Sequence, residues 1–231
     1  MSTEAKRART AVTEDYLKAI WSAETRGQGI SINELAAKMG VVPSTASENV
    51  SRLKEQGLVD HAPYQKVHLS DEGRAIAVGM VRRHRIIETY LHEALGFEWD
   101  EVHVEAEILE HAISDRLLDR LDQALGYPTR DPHGDPIPTA TGEWVAPLTR
   151  PLSESPAGDE GVVARISDRN AQVLRDLERQ GIAPDVRIRV VQIHEGRGLS
   201  VTILGEDSER RVVLGVEHVQ SVHLVAEEAS V

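Results

Sequence analysis

SINELAAKMGVVPSTASENVSRL, residues 31–53, predicts two short helices joined by a tight turn. Ser31 and Glu34 have the spacing of a capping box at the start of the first helix, which Gly40 is suited to end. Pro43 is suited to the first turn of the second helix, because proline lacks an N–H that a helix start leaves unused. The apolar positions of the second helix, which we expect to face the core, are Ala46, Val50 and Leu53. The stretch therefore predicts a helix-turn-helix.

The other side of the second helix carries short hydrogen-bonding side chains, as expected of a helix that reads DNA. Such side chains can enter the major groove and bond the base edges. Residues 57–70 follow as two predicted strands around a turn, the wing of a winged helix, in which Lys66 would lie near a phosphate. The predicted DNA-binding residues are Val42, Ser44, Thr45, Ser47, Glu48, Ser51, Arg52 and Lys66.

Potential metal ligands are concentrated between His103 and His111. If this segment is helical, its spacing places Glu107, Glu110 and His111 along the same side of the helix as His103. Two imidazoles and two carboxylates on one face are costly to bury unless a positive charge joins them, and a divalent cation supplies that charge. Because the chain has no cysteine, any metal must be held by oxygen and nitrogen. Taken singly, Glu107 and Glu110 could equally be exposed surface charges.

The composition is that of a multidomain globular protein, with 231 residues of which 40% are hydrophobic. No apolar run is long enough to span a membrane and the N-terminus lacks the apolar stretch of a secretion signal, so we expect a cytoplasmic protein with no membrane partner. The net charge of −12 argues against a nucleic-acid partner. However, residues 1–75 hold 10 basic and 10 acidic side chains, and such a neutral module can still bind DNA.

The sequence divides into helical and β-rich parts separated by a stretch rich in proline and glycine. Two or three longer helices are predicted over residues 76–127, one through Ile76 to Leu95 and another from Trp99 through Leu121 and Leu125, whereas short β-branched runs after Gly161 predict strands. A single helix, Asn170 to Gln180, interrupts these runs. The expected domains are a winged helix-turn-helix at residues 1–75, a helical metal-binding domain at 76–140, a flexible linker at 141–160 and an SH3-like domain at 161–231.

Three motifs follow the wing in order: VRRHRIIE at 81–88, HVEAEILEH at 103–111 and DPHGDPIP at 131–138. With the helix-turn-helix, they make the sequence resemble the diphtheria toxin repressor family of metal-dependent regulators over nearly the whole chain. The resemblance implies homodimers that bind palindromic operator DNA when loaded with Fe(II) or Mn(II) and repress uptake genes. The fold class it implies is mainly α, with an α+β winged helix-turn-helix, a helical dimerisation domain at 76–140 and a small C-terminal all-β SH3-like barrel.

The resemblance also implies two metal sites per subunit. By position, the primary ligands would be Asp15, Glu107, Glu110 and His111, and the ancillary ligands His84, Glu88 and His103. Three-domain members of the family add a Glu and a Gln from the barrel, and the positions that correspond here are Arg165 and Asp168. Asp168 could bind a metal, whereas Arg165 could not. Ordinary roles are also open: a surface pair for His84 and Glu88, a turn residue for His133, and a first-turn helix residue for Asp15.

The choice of metal depends on two of these positions. Where the iron-responsive branch of the family carries a methionine and a cysteine, this chain has Asp15 and Glu107, as the manganese transport regulators do. Hard carboxylates in place of soft sulfur favour Mn(II). Fe(II) is the alternative, and Zn(II) or Co(II) would also bind in vitro. The sequence therefore predicts a manganese-dependent repressor.

Two other classes of protein can be weighed against this prediction. A helical di-metal enzyme would need Glu-x-x-His pairs on two helices, and the sequence supplies no second pair, so we expect no catalytic residues. A winged-helix regulator of an organic ligand would need aromatic residues to line a pocket, and only 3% of residues are aromatic.

Overall fold

The computed structural model describes residues 10–25, 27, 29–62, 65–145, 147–205 and 208–226. The chain forms two compact units, one of residues 1–83 with 138–143, and one of residues 84–137 with 144–231. Residues 63 and 64, which the sequence places between the two strands of the wing, lie outside the described residues. A search of the described helices found none with the length and apolar character needed to cross a membrane.

The first unit is a small helical domain with a two-stranded sheet. The sheet is antiparallel, with Val59 opposite Leu69, and an isolated bridge between Ile30 and Val67 extends it. The elements are α1 (Ala11–Glu24), α2 (Ile32–Lys38), α3 (Pro43–Glu55), β1 (Val59–Asp60), β2 (His68–Leu69) and α4 (Asp71–Leu95), which continues into the second unit. The two strands are the base of the predicted wing.

The helix-turn-helix forms where local sequence signals predict it. Ser31 caps α2: its hydroxyl accepts from the backbone N–H of Glu34, whose carboxylate accepts from the backbone N–H of Ser31 at 2.8 Å. Gly40 follows with φ of 64°, a left-handed conformation that costs glycine little, and Pro43 is the first residue of α3. The expected core residues of α3, Ala46, Val50 and Leu53, are all buried. The prediction is confirmed.

Helix α4 begins against the turn that follows α3, the second helix of the helix-turn-helix. Ser70 donates its hydroxyl to the carbonyl of Gly57 at 2.7 Å and accepts from the N–H of Gly73 at 3.1 Å. Glycine is required at position 73, because a Cβ there would lie 1.9 Å from the carbonyl oxygen of Leu58. This close approach fixes the start of α4 against the helix-turn-helix and the two-stranded sheet of the first unit, which together we call the wing domain.

Of the two or three longer helices predicted over residues 76–127 the structure has three, because the one expected from Trp99 through Leu125 is divided. This stretch contains two helices, α5 (Val102–Leu109) and α6 (Asp115–Ala124). The break has a local cause: Ser114 caps α6 by accepting from the backbone N–H of Leu117 at 3.2 Å, which starts a new helix instead of continuing the old one. Apolar residues of α4 and α5 pack together as Ile87, Leu91, Val102 and Ala106.

The rest of the second unit is a six-stranded antiparallel sheet with two helices. The strand order is β3-β8-β4-β5-β6-β7, and helix α7, capped by Asn170, contributes Leu174 and Leu177 to its core. This is the predicted small SH3-like domain. Its elements are β3 (Thr149–Pro151), a 3-10 turn (Leu152–Glu154), β4 (Glu160–Ile166), α7 (Ala171–Arg179), β5 (Arg187–His194), β6 (Gly198–Leu204), β7 (Glu209–Leu214), α8 (Val216–Ser221) and β8 (Val222–Val225).

The expected flexible linker at 141–160 is wrong in its second half. Strand β3 pairs with β8, with Thr149 opposite Val225, and Leu152 is fully buried in the core of the sheet. The prolines hid this strand from sequence analysis. Pro151 is tolerated because β3 lies at the edge of the sheet, where a missing N–H breaks no central hydrogen-bond ladder.

The loop of residues 131–137 docks on the sheet within the second unit. The backbone N–H of Ile166 donates to the carbonyl of His133 at 2.9 Å. Gly134 has φ of 90°, and a Cβ there would lie 2.2 Å from the carbonyl oxygen of Ala164. Trp99, which precedes α5, is part of the core of the sheet. Helices, loop and sheet of this unit therefore meet at one place.

Candidate metal centre

Four side chains from three parts of the second unit converge at this place. His84 and Glu88 lie one turn apart on α4, His103 lies on α5 and Asp168 follows β4. Each offers a potential ligand atom, and the four atoms lie within 4.8 Å of one another. Glu88 Oε1 is 2.8 Å from His84 Nε2 and 3.3 Å from His103 Nδ1, and Asp168 Oδ2 is 3.3 Å from His103 Nδ1. We call these four residues the ancillary cluster.

Burial excludes the interpretation of His84 and Glu88 as a surface pair. Glu88 is 1% exposed and His84 is 7% exposed. A carboxylate at this depth requires positive charge or several hydrogen bonds to stay ionised. The pair on α4 therefore belongs to the interior of the unit, and its charge must be balanced there.

Three members of the cluster, Glu88, Asp168 and His103, have pKa values shifted toward their charged forms. Burial alone would raise the pKa of Glu88, but His84 and His103 outweigh burial and lower that pKa. Burial likewise opposes ionisation of Asp168, yet its hydrogen bond with His103 lowers the pKa to about 2. The hydrogen bond to Asp168, then that to Glu88, raises the pKa of His103 to about 10. At neutral pH, His103 therefore holds a proton in the position where a metal ion would place its charge.

His84 connects this cluster to the residues predicted as primary ligands. Its Nε2 faces Glu88, whereas its Nδ1 lies 2.5 Å from Oε2 of Glu110, whose side chain is completely buried. His111 Nε2 is 3.5 Å from the other oxygen of Glu110, and the half-exposed Glu107 places Oε1 4.0 Å from His84 Nδ1. The surface-charge interpretation is therefore wrong for Glu110.

His103, Glu107, Glu110 and His111 do not all lie on one helix, although their spacing predicted a single helical face. Helix α5 ends at Leu109; Glu110 keeps helical dihedral angles at the C-cap, and His111 lies in the turn beyond. Asp15 lies on α1 of the first unit and is partly buried. Its assignment as a ligand stays a prediction from the sequence.

Two further residues of the centre, Asp131 and His133, were not predicted as ligands. Together with Glu88 they are buried and offer ligand atoms within 4.8 Å of one another. His133 Nε2 donates to the carbonyl oxygen of Trp99 at 2.8 Å, which leaves Nδ1 with a lone pair. Among the described residues, this buried Nδ1 has no hydrogen-bond partner. With Glu88 and Asp131 beside it, this nitrogen is a potential metal donor.

Two arginines balance the acidic loop that carries Asp131. Burial, followed by the nearby Asp135 and Glu88, raises the pKa of Asp131, and Arg85 opposes this rise from 3.4 Å. Arg165 donates to Asp135 at 2.8 Å. Arg165, which the sequence placed at a ligand position of the family, acts here as a counter-ion of this loop.

The donor set suits a hard or borderline divalent cation. Its ligand atoms are imidazole nitrogens and carboxylate oxygens, and no thiol is present in the chain. Such donors suit Mn(II), Fe(II), Zn(II) and Co(II). Two features favour a cation here: Nδ1 of His133 has no hydrogen-bond partner among the described residues, and His103 holds a proton that a cation could replace.

The predicted DNA-binding residues lie on the exposed side of the wing domain. On and next to α3, Val42, Ser44, Ser47, Glu48, Ser51 and Arg52 are exposed, and Thr45 and Lys66 are half-buried. Ser51 donates its hydroxyl to the carbonyl of Ser47 at 2.9 Å, so part of its hydrogen-bonding capacity is used within the helix. The surface is polar and accessible, as a recognition helix requires.

A winged helix combined with a buried His and carboxylate centre defines the class of metal-dependent transcription regulators. Three sequence-family models match the chain: "Iron dependent repressor, N-terminal DNA binding domain" at residues 9–67, "Iron dependent repressor, metal binding and dimerisation domain" at 70–139, and "FeoA domain" at 150–223. The iron-dependent repressor IdeR of Mycobacterium tuberculosis is 32% identical over 85% of this chain and 90% of its own length. The diphtheria toxin repressor of Corynebacterium efficiens is 32% identical over 87% of this chain and 86% of its own length. The chain therefore belongs to the iron-dependent repressor family.

Solved structures extend the similarity to the whole architecture. A manganese-dependent transcriptional repressor in complex with manganese is 49% identical, with a TM-score of 0.87, over 93% of this chain and all of that one. The repressor ScaR with bound Zn²⁺ is 32% identical, with a TM-score of 0.75, over 92% of this chain and 98% of that one. The manganese regulator SloR is 30% identical, with a TM-score of 0.70, over 94% of this chain and 98% of that one.

Proposed function

We propose that this protein is a manganese-dependent transcriptional repressor that binds palindromic operator DNA as a homodimer. It controls genes of metal uptake or homeostasis, and it acts in the cytoplasm. The observation that carries the proposal is the buried, sulfur-free ancillary cluster, in a chain whose first unit is a winged helix. The family comprises transcriptional repressors, so we assign no catalytic step.

The residues that would hold metal fall into two groups. The ancillary cluster of His84, Glu88, His103 and Asp168 would hold one ion, with Asp131 and His133 beside it. Glu107, Glu110 and His111, with the predicted contribution of Asp15, would hold the other. A bound divalent cation supplies the positive charge that lets these carboxylates remain close together without protons.

Hydrogen bonds and ion pairs among the chain's own residues position the metal-binding side chains. His84 faces Glu88 with one nitrogen and Glu110 with the other, so a change in either carboxylate alters the hydrogen bonds of the same imidazole. Arg85 and Arg165 hold the acidic loop against its own repulsion. This arrangement couples the two groups of ligands through one side chain.

Manganese is preferred over iron on the chemistry of the donors. The carboxylates of Asp15 and Glu107 stand where sulfur ligands would favour iron, and hard oxygen donors suit Mn(II). The similar structure described as a manganese-dependent repressor supports this choice. The relatives described as iron-dependent support Fe(II) as the second candidate.

Selection from random double-stranded DNA tests the proposal. With MnCl₂ present, we expect palindromes whose half-sites lie about 10 base pairs apart, or a multiple of that spacing, because two recognition helices of a dimer enter successive major grooves. Chelation with EDTA should abolish binding and excess MnCl₂ should restore it, with anaerobic Fe(II) and Zn(II) as comparators. DNA that binds equally well in EDTA would refute the metal dependence.

Metal binding should release a proton from His103. Because the pKa of this imidazole is raised to about 10, a metal must displace its proton at any pH below that value. We therefore expect apparent Mn(II) affinity at the ancillary cluster to weaken by about tenfold for each unit of falling pH between 8.5 and 6.5. Calorimetric titration in buffers of different protonation enthalpy counts the protons. The variant His103→Gln should release about one proton fewer, and equal release from both proteins would contradict the assignment.

A further inference from the structure

Asn49 on the recognition helix makes three side-chain hydrogen bonds and belongs to neither predicted face of that helix. It lies between the buried row of Ala46, Val50 and Leu53 and the exposed DNA-binding residues, and it is half-buried. Its Nδ2 donates to the hydroxyl of Tyr16 at 3.3 Å and to the carbonyl of Thr45 at 3.0 Å. Its Oδ1 accepts from a terminal nitrogen of Arg52.

These bonds connect Asn49 to the buried core, to the backbone of its own helix and to the exposed surface. Tyr16 is on α1 and is 2% exposed, so it is a rigid anchor in the core of the first unit. Arg52 is exposed and faces solvent on the DNA-binding surface. Asn49 therefore hydrogen-bonds both to a side chain of α1 and to a predicted DNA contact.

Helix stability does not account for an asparagine at this position. Asparagine is a weaker helix former than alanine, and its side chain competes with the helix for backbone hydrogen bonds.

The bond to Arg52 offers a different reason for the asparagine. A free arginine side chain has many rotamers, and ordering them on DNA opposes binding. An acceptor that already holds one guanidinium nitrogen reduces that cost and leaves the other donors available.

The position of Arg52 indicates what it contacts. In a helix-turn-helix, the N-terminal residues of the recognition helix meet the base edges. Arg52 lies in the C-terminal half of α3, so we expect it to reach the phosphate backbone. Such a contact sets the register of the protein on DNA and strengthens binding without reading sequence.

We propose that Asn49 is a positioning residue that aims Arg52 at a DNA phosphate and takes its own orientation from the hydroxyl of Tyr16. This inference rests on the proposed DNA-binding function. It assigns Asn49 no contact with the bases. Its effect on DNA binding passes through Arg52 alone.

A double-mutant cycle tests this with full-length protein, MnCl₂ and the operator selected with the parent. Asn49→Ala should weaken operator binding about two- to tenfold, the range for one lost hydrogen bond. In an Arg52→Ala background, the same change should have no effect. Tyr16→Phe, which removes only a hydroxyl, should weaken binding in the same direction and also only when Arg52 is present. Random DNA should lose affinity by the same factor, because phosphate contacts carry no sequence information.

Controls separate positioning from general damage. Tyr127→Phe removes the same hydroxyl from an exposed tyrosine of the second unit and should leave binding unchanged. Mn(II) affinity of Asn49→Ala and Tyr16→Phe should match the parent, and the melting temperature should fall by no more than about 5 °C, the cost of one hydrogen bond. NMR relaxation of the Arg52 Nε–H group in DNA-free protein should show increased motion in both variants.

The outcomes distinguish this inference from the proposed function. Suppose the parent binds operator in Mn(II). If Asn49→Ala then has no effect, or weakens binding equally with and without Arg52, the positioning role of Asn49 is overturned and the proposed function stands. If the parent binds no DNA in the presence of Mn(II), the proposed function falls and the inference falls with it.

Discussion

Replacing Glu110 with alanine is expected to abolish metal-stimulated operator binding. Its side chain is completely buried, with one oxygen 2.5 Å from His84 Nδ1 and the other 3.5 Å from His111 Nε2. The change removes a predicted oxygen ligand and also the partner that orients His84. Loss of a partner that only orients a ligand lowers metal affinity by about 10- to 100-fold, and we expect at least the upper end here.

The measurement combines calorimetric titration with MnCl₂ and a gel shift with operator DNA. Glu105→Ala is the matched control, because Glu105 lies on α5, the helix that Glu110 caps, and belongs to none of the clusters of potential ligands in the described part of the chain. Asp15→Ala and Glu107→Ala should behave like Glu110→Ala, each as a folded dimer. Equal operator affinity of parent and Glu110→Ala in Mn(II) would exclude Glu110 from the switch.

Replacing Val104 with aspartate is expected to produce a monomer with strongly weakened operator binding. Val104 is 62% exposed, and Ile108, one turn later on α5, is 64% exposed. They lie in the segment that matches the metal-binding and dimerisation model of the family. A buried charge at a dimer contact is costly, and a monomer contacts one half-site without the second. We expect affinity for the palindrome to fall by about 100-fold or more.

Analytical ultracentrifugation of Val104→Asp and the parent measures the change in mass. Val213→Asp is a matched control, because Val213 is 63% exposed on β7 of the barrel and outside the dimerisation segment. The ancillary cluster lies within one subunit, so its Mn(II) binding should survive in the monomer. A dimer of unchanged stability in Val104→Asp would show that this face of α5 is not the interface.

Local signals account for the parts of the fold that the sequence predicted correctly. The capping box of Ser31 and Glu34, the left-handed Gly40 and the proline at the start of α3 each act within a few residues. The same holds for Asn170 at the start of α7. Short β-branched runs with glycine-bearing turns between them likewise predicted strands β4 to β7, because β-branched side chains favour extended backbone.

Two features of the fold were missed, one that depends on a distant partner and one that depends on a local cap. Strand β3 was predicted to be linker, because its prolines suppress the usual pattern and its pairing partner β8 lies near the other end of the domain. The break between α5 and α6 followed from the Ser114 cap, whose signal was hidden in a continuous apolar pattern. In each case the deciding hydrogen bond competed with a plausible local alternative.

The sequence by itself determined the winged helix, the types of metal donor and the absence of sulfur among them. The tertiary structure decided which donors meet: Glu110 is buried against His84, and the loop with Asp131 and His133 reaches Glu88. The tertiary structure also places Asp168, which follows β4, beside His103 on α5, and the hydrogen bond between them raises the pKa of His103. Burial and proximity set the electrostatics of such a centre, and both depend on contacts between residues far apart in the chain.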